Sequence, residues 1–572
     1  MGKKSDNREH INRVAKVLLI INFIIFVFAF CAIYIVNYLK PPIKPTPMYV
    51  SSLDVEVPLY DENFNEIKSV YRGYLVNVFD NTITKDGIIY KEIVLDDNKY
   101  YINIDNLVLD YNKSVKEEKL YLRTASTVYK DSNSNEILGF IHKGSDILIV
   151  GIDKLEKGIP NMYKIKYDNN EGYIYSKYLV DTKEKSILDY NENGIYDIHK
   201  DRRFSYELYG GSASNLDYYP YEKVSFDNNK LLDNAKTLYL NSSSNTLNNI
   251  DEYISLAKES GINAFVVDIK DGSIAYKSDV AKKYSLSTYE STNRSVDEYK
   301  KVIKKLRDNN FYVIGRIVVF NDSLFAKDNI DEAISKNGEA TSWVSAYSRK
   351  SWEYNVSLAI EAVKLFKFNE IQFDYVRFPE TSYAMSVNKA YDFKNKYNEE
   401  KAEAIQNFIF YATDQIHKEK AYISVDVFGE SANTYVTSYG QYWPAISNIV
   451  DVISAMPYPD HFNKYDYGFG EVVWTIPYEL LKAWGSSAAE RQKEIPTPAL
   501  VRTWIQAYDA IYAPYVTYDA SLVSDEIRAL YDSNLSNGYI TWNSSSSLEK
   551  YNSLKEAFMK DYRWLYEKDR IK

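Results

Sequence analysis

The sequence predicts an α/β fold: a (β/α)8 TIM barrel over residues 237–572, preceded by a transmembrane helix and two small all-β domains. Three observations point there. After Lys236, strand-like and helix-like stretches alternate eight times. The strand-like stretches are mostly continuous Val/Ile-rich runs, as expected for parallel strands buried on both faces. No Gly-rich phosphate turn follows an early strand, which tells against a doubly wound open sheet.

Taken in order, residues 1–16 form a basic tail, with Lys3, Lys4, Arg8, Arg13 and Lys16. Residues 17–38 are apolar apart from Asn22 and Asn37. At ~1.5 Å per residue such a run reaches roughly 33 Å, enough for a bilayer core. The basic flank places the N-terminus in the cytoplasm and the bulk of the chain outside the cell membrane, as a single-pass protein. A cleaved signal peptide would have a shorter apolar core and a small-residue cleavage site. Here a Pro-rich spacer follows instead, at 39–47.

Residues 48–112 and 113–185 are rich in short alternating runs and read as two related β domains. Each has an early strand, a Gly turn (Gly73, Gly144) and a later hairpin. Residues 186–236 form a linker and barrel entry without sustained period. Within them Asp189, Asn191, Asn193, Gly194 and Asp197 fall at positions of a calcium loop, but Lys200 stands where a closing carboxylate is wanted. The other reading is an Asx-rich turn.

The eight strand candidates are 237–241, 264–271, 312–320, 370–379, 422–430, 451–459, 500–508 and 538–544. Pro379 is expected to end the fourth. Ile250, Tyr253, Ile254 and Ala257 recur at helical spacing, as do Ile405, Phe408, Ile409, Ala412 and Ile416. Gly261 suits a helix C-terminus.

Composition limits the functions. The net charge of −10 argues against a nucleic-acid partner. One cysteine, Cys31, excludes an intramolecular disulfide. Five histidines put a three-His zinc site in one domain out of reach, and no cofactor or metal is expected.

Barrel active sites lie at the C-terminal strand ends. Those ends supply Asp268, Lys270 and Asp271; Arg316; Asp374 and Arg377; Asp426 and Glu430; Tyr458, Asp460 and His461; Trp504 and Gln506; and Trp542. Glycosidic cleavage needs one protonated and one ionised carboxyl about 5–10 Å apart. Strands ~4.8 Å apart can bring Asp374 and Asp426 into that range. Trp and Tyr offer flat faces to sugar rings. Arg377 is the expected tuner of Asp374. Asp374, Asp426 and Glu430 are thus the catalytic candidates. Asp268, Lys270, Arg316, Arg377, Tyr458, His461, Trp504, Gln506 and Trp542 are the substrate-binding ones.

Two resemblances sharpen this reading. LRTASTVYK and EGYIYSKYLV resemble bacterial SH3-like domains, and 48–111 does so more weakly. That implies modules that bind cell-wall peptide or glycan, or act as spacers. The stretches GINAFVVDIKDGSIAYKS, FDYVRFP, SVDVFG, SAMPYPDHF, IQAY and GYITWN resemble a family of glycoside hydrolases with a TIM barrel, distantly alpha-amylase-like. The resemblance implies a membrane-anchored hydrolase of cell-wall or secreted polysaccharide. The strand-four Asp374 would then be the nucleophile. An amylase-like acid on strand five would be a Glu, whereas here Asp426 stands there with Glu430 nearby. The alternative is a catalytically inactive barrel that binds glycan or organises the envelope.

Overall fold

The computed structural model describes residues 3–38, 44–203 and 209–563. Part of the expected spacer, 39–43, lies outside them. The chain divides into two compact units, Met1–Glu118 with Ile149–Lys164, and Lys119–Leu148 with Ile165–Lys572.

The chain starts with a helix, Lys3–Tyr38. Its segment Glu9–Ile35 is long and apolar enough to cross a membrane, and none of it is buried. It fits an anchor or a signal sequence.

Two antiparallel seven-stranded sheets of SH3-like size follow. The first runs from Thr46 to Val108 and the second from Lys119 to Val180. Counting strands within each, and setting aside a small extra hairpin in the second, both have the spatial order 3-2-6-5-4-1-7. Their turns match as well. Gly73 (φ 84°) donates its N–H to Val50 at 2.7 Å, and Gly144 (φ 79°) does the same to Leu122 at 2.7 Å. Positive φ at both positions is the reason each is Gly. In both sheets a 3₁₀ turn, Ile104–Asn106 or Ser176–Tyr178, precedes the last strand.

The barrel consists of β1 (Ala235–Leu240), β2 (Ala264–Asp271), β3 (Tyr312–Val318), β4 (Glu370–Asp374), β5 (Tyr422–Phe428), β6 (Val452–Met456), β7 (Leu500–Val501 and Thr503–Gln506) and β8 (Gly538–Trp542). All neighbours are parallel, and β8 pairs with both β7 and β1, closing the ring. A helix follows each strand: α1 (Ile250–Ser260), α2 (Val296–Asp308), α3 (Arg349–Phe366), α4 (Lys401–Lys418), α5 (Trp443–Ser447), α6 (Pro477–Gln492), α7 (Ala520–Asp532) and α8 (Lys555–Met559). Gly261 ends α1 in the left-handed region at φ 73°.

Alternate residues fill the barrel. At the N-terminal end the Glu370 carboxylate takes Arg502 at 2.9 Å and the Tyr312 hydroxyl at 2.9 Å, with both charged side chains fully buried. In the middle Gln372 donates to Ser454. Beside them Ala264, Val266, Ile314, Trp504 and Ile540 pack together.

Several strand ends differ from the sequence reading, and two of them bear on the mouth. β4 stops at Asp374, because Tyr375 turns left-handed (φ 53°), well before Pro379. β5 stops at Phe428, and Glu430 sits in the 3₁₀ turn Gly429–Ala432. The linker is ordered where described: Ile195, Ala213, Leu216 and Tyr218 are buried with Ala402, Val436, Tyr442 and Ala445. In the Asx-rich loop Asp189 pairs with Lys143, and Asp197 pairs with Lys200 at 2.8 Å. Asn191 bonds the backbone and side chain of Asp197. Ammonium groups and turn bonds occupy those carboxylates.

Candidate active site

The mouth is organised by one guanidinium. Arg316 on β3 is 2% exposed and holds carboxylates from two neighbouring strands. Its Nη1 donates to Asp268 at 2.7 Å and to Asp271 at 3.0 Å. Its Nε and Nη2 donate to one oxygen of Asp374, at 3.1 and 2.6 Å. The other Asp374 oxygen accepts the Tyr375 N–H at 2.6 Å. The left-handed turn at Tyr375 therefore fixes the carboxylate's direction, at a conformational cost of about 1–2 kcal/mol. The Tyr239 hydroxyl on β1 donates to Asp268 at 2.5 Å. Burial pushes the Asp268 carboxyl up to about 6, against the pull of Arg316.

The register pairing Phe373 with Val425 sets Asp374 beside Asp426 on β5. Asp426 is fully buried. One of its oxygens accepts the Trp504 indole N–H at 2.8 Å, and the other has no partner among the described residues. Burial, then the charge of Asp374, push its carboxyl well above the usual carboxylate range. Adjacent strands thus present an ion-paired carboxylate and a buried carboxyl whose surroundings favour its neutral form.

Aromatic rings floor the mouth. Trp542 lies 4.7 Å from Tyr239, 5.6 Å from Trp504 and 6.4 Å from Tyr458, with the Arg316 guanidinium 5.5 Å from its ring. On the β3–α3 and β4–α4 side, Trp343 and Tyr375 are half-buried, 6.0 Å apart.

The geometry brings Asp268, Arg316, Asp374, Asp426, Tyr458, Trp504 and Trp542 together. Other candidates are displaced. Lys270 has the parity of Asp268 and was expected at the mouth. A register shift between the two against β3 turns it outward, to an ion pair with Asp322 and a place over the Tyr354 ring of α3. Arg377 does not hold Asp374, because Arg316 does. Arg377 bonds Phe378 and Glu380 and packs 4.2 Å from the Phe428 ring. Glu430 is exposed and accepts from Tyr435 at 3.0 Å and Tyr439 at 2.7 Å, not from the Arg316 cluster. Gln506 is fully buried and ties strand ends together: it accepts the Asp460 N–H, and its own N–H goes to Glu526. His461 lies at the rim, its ring 5.3 Å from Tyr458. Tyr239, Trp343, Tyr375 and Glu526 escaped the sequence reading. For Tyr239 a signal existed, since it is the central inward residue of the first predicted strand.

The family model described as "Putative glycosyl hydrolase domain" (DUF4015) matches residues 237–548, so its span covers the barrel from β1 through β8. The chain belongs to this family, and its barrel is a glycoside hydrolase domain. No curated protein matches the chain. Among solved structures, a hypothetical protein from Ruminiclostridium thermocellum ATCC 27405 is 32% identical over 33% of this chain and 97% of its own, with TM-score 0.27. The PgaB (BpsB) glycoside hydrolase domain from Bordetella bronchiseptica is 12% identical over 58% of this chain and 100% of its own, with TM-score 0.42. A chitinase from Chromobacterium violaceum ATCC 12472 is 13% identical over 57% of this chain and 100% of its own, with TM-score 0.35.

Proposed function

We propose that the chain is a membrane-anchored hydrolase that cleaves a cell-wall or secreted polysaccharide outside the cytoplasm. Its N-terminal helix is the anchor, and the basic residues before it stay on the cytoplasmic side. The SH3-like domains, 48–112 and 113–185, stand between the anchor and the barrel in the chain. Asp374 serves the anomeric carbon, as nucleophile or as base. Asp426 keeps a proton beside it, and Trp542 offers a face to a sugar ring.

One observation supports this most strongly: Asp374, ion-paired to Arg316, adjoins the buried Asp426, whose carboxyl burial pushes upward. The test is reducing-sugar release by the full chain in detergent from a panel of wall and capsular polysaccharides. Asp374→Asn should lower that release on the order of 10³-fold with an unchanged circular dichroism spectrum. Full activity in this variant would remove the assignment. Saturable sugar binding with no product from the wild-type chain would instead support a binding-only barrel.

A further inference from the structure

The carboxyl pair leaves one chemical need unmet. A proton must reach the leaving oxygen, and Asp426, fully covered, has no exposed surface to deliver it. Glu430 is bound by the Tyr435 and Tyr439 hydroxyls, from the segment that follows its turn. The rim after β6 holds a different pair. Asp460 is 1% exposed and is saturated with donors. Its first oxygen accepts from His461 Nδ1 at 2.8 Å and from the Tyr508 hydroxyl at 2.8 Å, and its second accepts the Ile511 N–H at 3.1 Å. The Asp460 N–H is itself held by Gln506 at 3.2 Å. A carboxylate locked this way fixes the imidazole as the Nδ1–H tautomer and sends Nε2 to the far side of the ring. The His461 side chain is 54% exposed, and its ring lies against Tyr458. Tyr458 in turn packs on Trp542, the ring at the floor of the mouth.

We propose that His461, oriented by Asp460, is the proton donor and acceptor for glycosidic cleavage at this mouth. The proposal rests on the site reading above. The step balances. Protonated Nε2 gives its proton to the glycosidic oxygen as the C1–O bond breaks, with the bond's electron pair going to that oxygen. Asp374 bonds to C1. Water then attacks C1, the ester bond to Asp374 breaks, and neutral Nε2 takes the water's proton. The net change is glycoside plus water to two sugars, with both side chains restored. Asp460 never touches substrate and acts as a positioning residue.

The test uses the full chain in detergent and the polysaccharide that the wild-type chain cleaves. His461→Ala should lower kcat about 10²–10³-fold with KM changed less than about threefold, and ~50 mM imidazole should restore at least about tenfold of the loss. NMR of ring-nitrogen-labelled histidine should show His461 as the Nδ1–H tautomer, and Asp460→Asn should shift it to Nε2–H. Wild-type kcat in His461→Ala, a loss that imidazole does not restore, or an Nε2–H tautomer in the wild-type chain would each overturn the dyad. An inactive Asp374→Asn beside a fully active His461→Ala keeps the carboxylate reading and removes the dyad. A fully active Asp374→Asn removes the carboxylate reading and the covalent step with it. A wild-type chain that cleaves no polysaccharide overturns both.

Discussion

His199 shows what burial does to a single imidazole in this chain. It is fully buried, stacked 4.3 Å from Tyr218, with Nδ1 on the Tyr442 hydroxyl at 2.7 Å and Nε2 on the Glu494 carbonyl at 3.2 Å. Burial pushes it down to about 4. The unfolded chain, with an ordinary imidazole near 6.5, therefore takes up the proton first. The stability from neutral His199 is fully present above about pH 6.5 and is lost as pH falls toward 4, by up to about 3 kcal/mol. His199→Gln should flatten that acid limb. Urea unfolding of both proteins at pH 7.5 and pH 5 measures it, and an equal loss in both would contradict the assignment. The mouth residues teach a related lesson. Asp374, Asp426 and Arg316 were readable from strand parity and chain position. Which guanidinium holds which carboxylate was not, because that depends on the levels at which three strands meet. Lys270 was misplaced for one local reason: a bulge reverses parity without leaving a mark in the sequence.

The same limit appears in whole elements. The helical repeat of α4 announces one apolar stripe, and Phe408 of that stripe packs on Phe373, Phe320 and Trp352. Yet its other side is covered too. Tyr129 of the second sheet stacks 6.0 Å from Tyr411, and Asn135 bonds Ser357 of α3 at 2.7 Å. Buried Asp414 accepts from Tyr178 at 2.8 Å and Tyr221 at 2.6 Å, with Lys177 alongside. A polar residue buried by a distant segment leaves no periodic signature, so the second face could not be read. Tyr178→Phe removes one donor from a buried carboxylate and should cost about 1–3 kcal/mol. A lowered Tm in calorimetry, with cleavage activity retained, is the expected outcome. An unchanged Tm would mean that Tyr221 and Lys177 suffice.

At the scale of the molecule, the eight strands and the duplicated sheets were legible because each repeats a simple local rule. Val/Ile-rich runs alternate with helical periods, and a Gly turn recurs in each small sheet. Charge was legible only as a total, because pairing is a property of the folded ring. Glu370–Arg502 closes one end of the barrel with both side chains fully buried. Arg316–Asp374, Lys270–Asp322 and Arg349–Glu399 are almost as deeply enclosed. Mobile ions screen exposed pairs within a Debye length of about 8 Å at physiological ionic strength, and they screen enclosed pairs much less. Surface pairs such as Lys304–Asp308 contribute little in any case. The barrel should therefore melt within about 2 °C of the same temperature in dilute buffer and in about 0.5 M sodium chloride. A protein secured in this way would tolerate brackish or fluctuating surroundings without help from its outer charges.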